Sequence, residues 1–234
     1  MDVLRDRLGG TLMLSKCTGR MQWPNRGVYF FFDESERRSD SGGGMRVIRV
    51  GTHALSSRSR TSLWRRLAQH AGSRASGGGN HRGSIFRLLV GEAMKTREGS
   101  EEPRSWGDGG HPAAAAERYG LTTVGVRERE RALEAKVSEY IRVLPFLFVA
   151  VEDEPGPASL RGVIERNSIA LLSNYQRGAL DPASSTWLGT QSGRDRVRMS
   201  GLWNNNHVNE EYEPAYLDLL ERVCLSTHPV QSLH

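Results

Sequence analysis

The chain has 234 residues, 37% hydrophobic and 25% charged, a balance that suits a soluble globular protein with a full core. Its longest apolar run, Val143 to Val151, falls far short of the about twenty residues a membrane-spanning helix needs, so no membrane is expected as a partner. A formal charge of +5 and a pI near 9.5 make nucleic acid a natural candidate.

Residues 1–26 read as an irregular lead-in. They open Met-Asp-Val-Leu-Arg-Asp-Arg with no apolar core of a secretory signal. Gly27 to Phe32 is apolar and β-rich, a buried strand. Residues 33–44 turn charged and then glycine-rich, an exposed loop. Met45 to Gly51 alternates as a second strand, and the two strands pair as a hairpin. A helix follows, capped by Thr61 or Ser62 and carrying Leu63, Trp64 and Leu67 through to His70. Residues 71–80 are small and flexible, ending in Gly-Gly-Gly-Asn. Ile85 to Met94 reads as a short helix, and 95–125 as a polar surface insertion without fixed order. Val126 to Ile141 has charges at i, i+4 spacing and reads as a surface helix. Phe146 to Val151 is a buried strand. Ser159 to Ser173 is an amphipathic helix with Leu160, Val163, Ile164, Leu171 and Leu172 on one side. Residues 177–199 are loop-like, and 212–224 form a last helix before the tail. This order is not the regular alternation of a doubly wound sheet. It predicts an α+β domain, a small sheet flanked by helices.

Several common chemistries lack their motifs. Cys17 and Cys224 make no metal spacing and no disulfide framework, which fits two thiols in a reducing cytoplasm. Gly77 to Ser84 (GGGNHRGS) is glycine-rich but lacks the order of a phosphate loop and follows no strand. No His pair has the HExxH arrangement, and no GxSxG occurs. The basic side chains are almost all arginine, since Lys16, Lys95 and Lys136 are the only lysines. Arginine suits bidentate phosphate contacts, although genome composition produces the same bias. One constellation stands out by geometry. Arg66 and His70 lie one helical turn apart, directly after the second strand, with Tyr29 and Arg49 in the hairpin and Glu165 among apolar neighbours on a later helix. Taken singly, each also reads as an ordinary surface, core or boundary residue.

This ordered set resembles the GIY-YIG nuclease superfamily. Gly27-Val28-Tyr29 looks like the first tripeptide, and Arg49-Val50-Gly51 like the second with its tyrosine replaced. Arg66 matches the helical arginine, and His70 the His or Tyr one turn later. Val163 to Ile169 resembles the helix with the metal-binding glutamate, here Glu165. Asn204 looks like the last landmark, with Asn174 as rival. The resemblance spans residues 27–205, with insertions at 33–44, 71–84 and 95–125, and leaves 206–234 as a C-terminal helix and tail.

The resemblance implies a three-stranded antiparallel sheet flanked by helices and a metal-dependent DNA endonuclease. Tyr29 is then the general base or its relay, with Arg49 and Arg66 stabilising the phenolate. Arg66 also holds the phosphate, and His70 orients Tyr29 or the water. Glu165 holds magnesium or manganese. DNA contacts are expected from Arg58, Arg60, Arg65, Arg82 and Arg87. Cutting both strands calls for two active sites, as in a homodimer, or sequential nicking. A protein of the same fold that binds nucleic acid without cleaving it is the alternative, since Arg49 replaces the motif tyrosine.

Overall fold

A computed structural model describes residues 1–231. The N-terminal stretch is not irregular. It carries helix α1 (Asp2–Leu8) and a short strand β1 (Leu12–Met13). Leu4, Leu8 and Leu14 from this stretch are buried in the main core. Strand β2 (Gly27–Arg37) and strand β3 (Met45–Gly51) form the expected hairpin. The loop is shorter than 33–44, because Glu36 is buried and accepts a 2.7 Å hydrogen bond from Arg46 Nη2. That pair carries the ladder out to Arg37 opposite Met45.

Helix α2 (Leu63–Ala71) begins at Ser62, whose side chain accepts the Arg65 backbone N–H. Helix α3 (Ile85–Glu98), helix α4 (Pro112–Tyr119) and helix α5 (Thr123–Val143) follow. The 95–125 segment is therefore ordered, contrary to expectation. Trp106 packs over Gly91 of α3 and donates from its indole to the Leu88 carbonyl at 3.1 Å. Nor is α5 a surface helix. Val126, Leu133, Val137 and Ile141 are buried on one side, together with Glu130 and Glu134.

Strand β4 (Pro145–Ala150) precedes helix α6 (Leu160–Leu172), which Ser159 caps. The buried face of α6 differs from the expected one. Leu160 and Val163 are exposed, while Arg161, Asn167 and Ser168 are buried beside Ile164. Helix α7 (Asp195–Ser200) interrupts the stretch expected to be loop, and helix α8 (Tyr216–Ser226) closes the described chain. The sheet has four antiparallel strands, not three, in the order β1-β4-β2-β3. The extra strand is two residues long, too short to leave a periodic signal. Strand β2 lies between β4 and β3, so Gly27 to Phe32 are all buried. Strand β3 is an edge, and residues 203–204 cover it. The Trp203 N–H donates to Ile48 O at 2.6 Å, which leaves less of that edge open to pairing with another chain. Cys17 and Cys224 are unpaired and buried. Among the described residues, no helix is long and apolar enough to cross a membrane.

Candidate active site

The hairpin brings Tyr29 opposite Gly51. A Cβ on Gly51 would fall into the Tyr29 ring, so glycine is what lets the phenol lie across β3. From there Tyr29 Oη meets His70 Nε2 at 2.7 Å, deep in the core. His70 reaches it because α2 turns its Leu63, Leu67 and His70 side inward. The other ring nitrogen, Nδ1, lies 2.8 Å from Ser84 Oγ. Burial, then the charges of Arg66, Arg49 and Arg87 and the nearby His53, hold His70 well below the ordinary histidine range. Its imidazole is neutral at physiological pH.

Arg49 points into the same space from β3. Its guanidinium lies 5.5 Å from the centre of the Phe86 ring and donates through Nη1 to the Trp203 carbonyl. Burial lowers its pKa, while its interactions with Tyr29 and Glu165 oppose the shift. Arg66 Nη1 donates to Gln69 Oε1 at 2.7 Å and to the Gly83 carbonyl at 3.2 Å. Glu165 enters from α6, and its Oε1 accepts the Thr52 N–H at 3.1 Å. Burial raises its pKa, and the positive charge of Arg49 opposes the rise.

His53 belongs to this place although nothing in the sequence singled it out. It follows Thr52, is 6% exposed, and neither ring nitrogen has a hydrogen-bond partner among the described residues. Burial first, then Arg161, Arg66 and Arg26, bring its pKa down to about 4. A histidine two residues past a motif glycine has no spacing rule attached to it, so its signal is tertiary. Arg49 Nε and Arg66 Nε are also buried without partners, which makes four such nitrogens around one carboxylate and one phenol. Buried polar groups are normally satisfied. Three N–H groups, the Nε–H of each guanidinium and the single N–H of neutral His53, are thus left without an acceptor among the described residues, donors that an anion could satisfy.

Glu165 fits a divalent ion of one kind. Among the described residues no group of three or more His, Cys, Asp or Glu could hold a metal. A single carboxylate, with one oxygen taken by Thr52, suits an ion that keeps water and substrate oxygens as most of its ligands, as magnesium does.

The asparagines separate cleanly. Asn204 Oδ1 accepts the Val50 N–H at 3.1 Å and its Nδ2 donates to Val50 O at 2.9 Å. Its amide imitates a strand partner for β3, one residue from Gly51. Asn174 instead accepts from Leu180 N–H in the loop after α6. The arginines separate as well. Arg58, Arg60 and Arg65 are exposed. Arg82 and Arg87, expected to face DNA, point inward. Arg82 forms a two-pronged pair with Glu130 at 2.6 and 2.8 Å, and Arg87 is fully buried against Glu134. The glycine-rich GGGNHRGS segment is therefore a scaffold. It seats His81 and Arg82 on α5, Gly83 O on Arg66, and Ser84 on His70.

A family model described as a GIY-YIG domain matches residues 1–230. No curated protein and no solved structure matched.

Proposed function

The chain belongs to the GIY-YIG nuclease superfamily, and from that membership and the site geometry we propose that it is a divalent-metal-dependent endonuclease hydrolysing DNA phosphodiesters. The observation that carries the reading is the set of unmet donors on Arg49, Arg66 and His53, gathered around Tyr29 and Glu165.

A phosphodiester reaching this cluster brings the acceptors those donors lack. Arg66 holds non-bridging oxygens with its planar fork. Arg49 adds charge from the strand side, and neutral His53 offers one ring N–H. Tyr29 Oη takes the proton of the attacking water. A phenol is a poor base near neutral pH, and the Arg49 guanidinium, which interacts with it, places positive charge beside the reacting oxygen. Glu165 would hold magnesium or manganese, which when bound polarises the phosphate and stabilises the leaving oxygen. Asn204 is a positioning residue that keeps β3, and with it Arg49, in register. Arg58, Arg60 and Arg65 supply contacts to the flanking backbone.

The test is a supercoiled-plasmid assay with magnesium, with manganese and with EDTA, run beside the Glu165→Ala protein. Metal-dependent nicking or linearisation that the variant loses is the expected result. A folded protein that shifts DNA and leaves it intact in every condition would instead support the binding-only reading that the replaced motif tyrosine raises.

A further inference from the structure

One more histidine stands near Glu165, and backbone contacts on two sides bring it there. Residue 204 is tied to β3, where the Asn204 amide pairs with the Val50 backbone, one residue from Gly51. The chain then crosses to α6 and lies along it. Ser173 Oγ donates to the Val208 carbonyl at 2.6 Å, and the Glu213 N–H donates to Asn167 Oδ1 at 2.7 Å. His207 sits at this crossing, between the strand end whose Thr52 N–H bonds to Glu165 and the helix that carries Glu165. The electrostatics agree. Burial raises the Glu165 pKa, and among the positive groups opposing the rise His207 comes after Arg49 and before Arg66.

The His207 ring is oriented from behind. Its Nδ1 lies 2.9 Å from Glu210 Oε1. The other Glu210 oxygen accepts from Nε of Arg166, the residue after Glu165. Against the cost of burial, the His207 and Arg166 hydrogen bonds hold Glu210 below the ordinary glutamate range, so it is ionised. An ionised carboxylate accepts and cannot donate. The neutral imidazole therefore carries its proton on Nδ1 and leaves the Nε2 lone pair free, with no hydrogen-bond partner among the described residues. A carboxylate behind one ring nitrogen and an open lone pair on the other is how proteins present a metal-binding histidine. The backbone carries a matching mark. His207 has a φ of 64°, in the left-handed region that glycine enters without cost, and such strain gathers at binding sites.

We propose that His207 is a second protein ligand of the divalent ion at Glu165, binding through Nε2, with Glu210 and Arg166 as its positioning residues. This deepens the metal-dependent reading of the site and rests on it. One carboxylate and one imidazole are still fewer than three side chains, in keeping with the lack of any three-residue metal cluster among the described residues. Water and substrate oxygens complete the shell. A nitrogen ligand also shifts the preference from magnesium toward cobalt and nickel.

Pulsed electron paramagnetic resonance of manganese bound to the full chain reads a directly bound imidazole as a nuclear modulation from nitrogen. The modulation is expected in the parent and in His53→Leu, and is expected to vanish in Glu165→Ala and in His207→Asn. Asparagine is at home in the left-handed region, so the second change keeps the turn. Glu210→Gln should keep the modulation and weaken manganese binding roughly 10- to 100-fold, the usual cost of losing the group behind a ligand. In His207→Asn, nickel binding should fall further than magnesium binding. Manganese bound to the parent without the modulation, or a modulation that Glu165→Ala or His207→Asn retains, overturns the proposal and leaves the nuclease reading standing. A parent that binds no divalent ion and cleaves with none would sink the metal-dependent reading and this proposal with it.

Discussion

Two sets of arginines lie around His70, and they differ in how their charges are met. Behind the imidazole, Arg87 donates to both the carboxylate and the backbone of Glu134, to Ser138 Oγ and to the His70 carbonyl. Arg82 grips Glu130, which also accepts from Ser105. His81 bonds to Glu134 and stacks on Trp106 at 3.9 Å. Only Arg82 Nε is left over in this group. In front of the imidazole, Arg49 and Arg66 face a single carboxylate whose burial raises its pKa, and His53 has both nitrogens unmet. Residue type is alike on the two sides, and each has a buried arginine, Arg87 behind and Arg49 in front, with Arg66 half-buried. What separates a clamp from a candidate active site is whether the hydrogen bonds close within the chain or wait for another molecule.

Breaking the clamp should have the largest effect on folding. Arg87→Ala leaves Glu134 buried without its main cation, and such removals typically cost about 3–5 kcal/mol. Thermal melting checks it, and a loss below about 1 kcal/mol would refute the clamp. Breaking the site should do the reverse. Arg66→Ala and Glu165→Ala should each lower the cleavage rate by about 10²- to 10³-fold, the range for removing one preorganised electrostatic contact. Arg66→Ala should melt no lower than the parent, because it removes a charge held for function and not for stability. A variant that melts much lower would erase the distinction.

Acid should also take the two regions apart in order. His53 is held neutral down to about pH 4 in the fold, against about 6.5 in the unfolded chain. Between those values the unfolded state binds the extra proton. Stability therefore falls as pH drops through that window, by roughly 1.4 kcal/mol per pH unit of the shift. His70, also held below the ordinary histidine range, adds to the same slope, so His53→Leu should make that part of the profile shallower without abolishing it. The clamp fails later. Against the cost of burial, the His81 hydrogen bond and the Arg87 charge hold Glu134 below the ordinary glutamate range. Its contribution is intact above about pH 4.3 and is lost only as pH falls further. Urea unfolding across pH 3.5 to 7.5 tests both halves. A parent profile that is flat from 6.5 to 4 would remove His53 from the buried cluster.

The same contrast marks how far the sequence could be read. Strands β2, β3 and β4 announced themselves as apolar runs, and the cap of α2 was narrowed to Thr61 or Ser62, of which the fold uses Ser62. The Arg66–His70 spacing placed both residues on α2, and Tyr29 met His70 because the hairpin register is local. Arg82 and Arg87 looked like surface charges because their partners lie about fifty positions away on α5, and pairing over that distance leaves no periodicity. One signal was present. Glu130 and Glu134 stand at i, i+4 on the same side as Leu133 and Val137, and two carboxylates on a buried face demand buried cations. His53 carried no comparable signal, since its importance lies in what it fails to bond.

The smallest predicted effect concerns the arginines outside both clusters. Arg58, Arg60 and Arg65 are exposed on the loop before α2 and on its first turn. Each phosphate neutralised on duplex DNA adds about 0.9 to the slope of log affinity against log salt. Replacing all three with alanine should therefore flatten that slope by up to about three units and weaken binding at low salt, with little change in melting temperature. Arg82→Ala should do the opposite, lowering the melting temperature and leaving the salt slope unchanged, because its charge is already spent on Glu130. Were Arg82→Ala to flatten the slope as well, that guanidinium would be available to DNA, and the line drawn here between closed and open arginines would have to move.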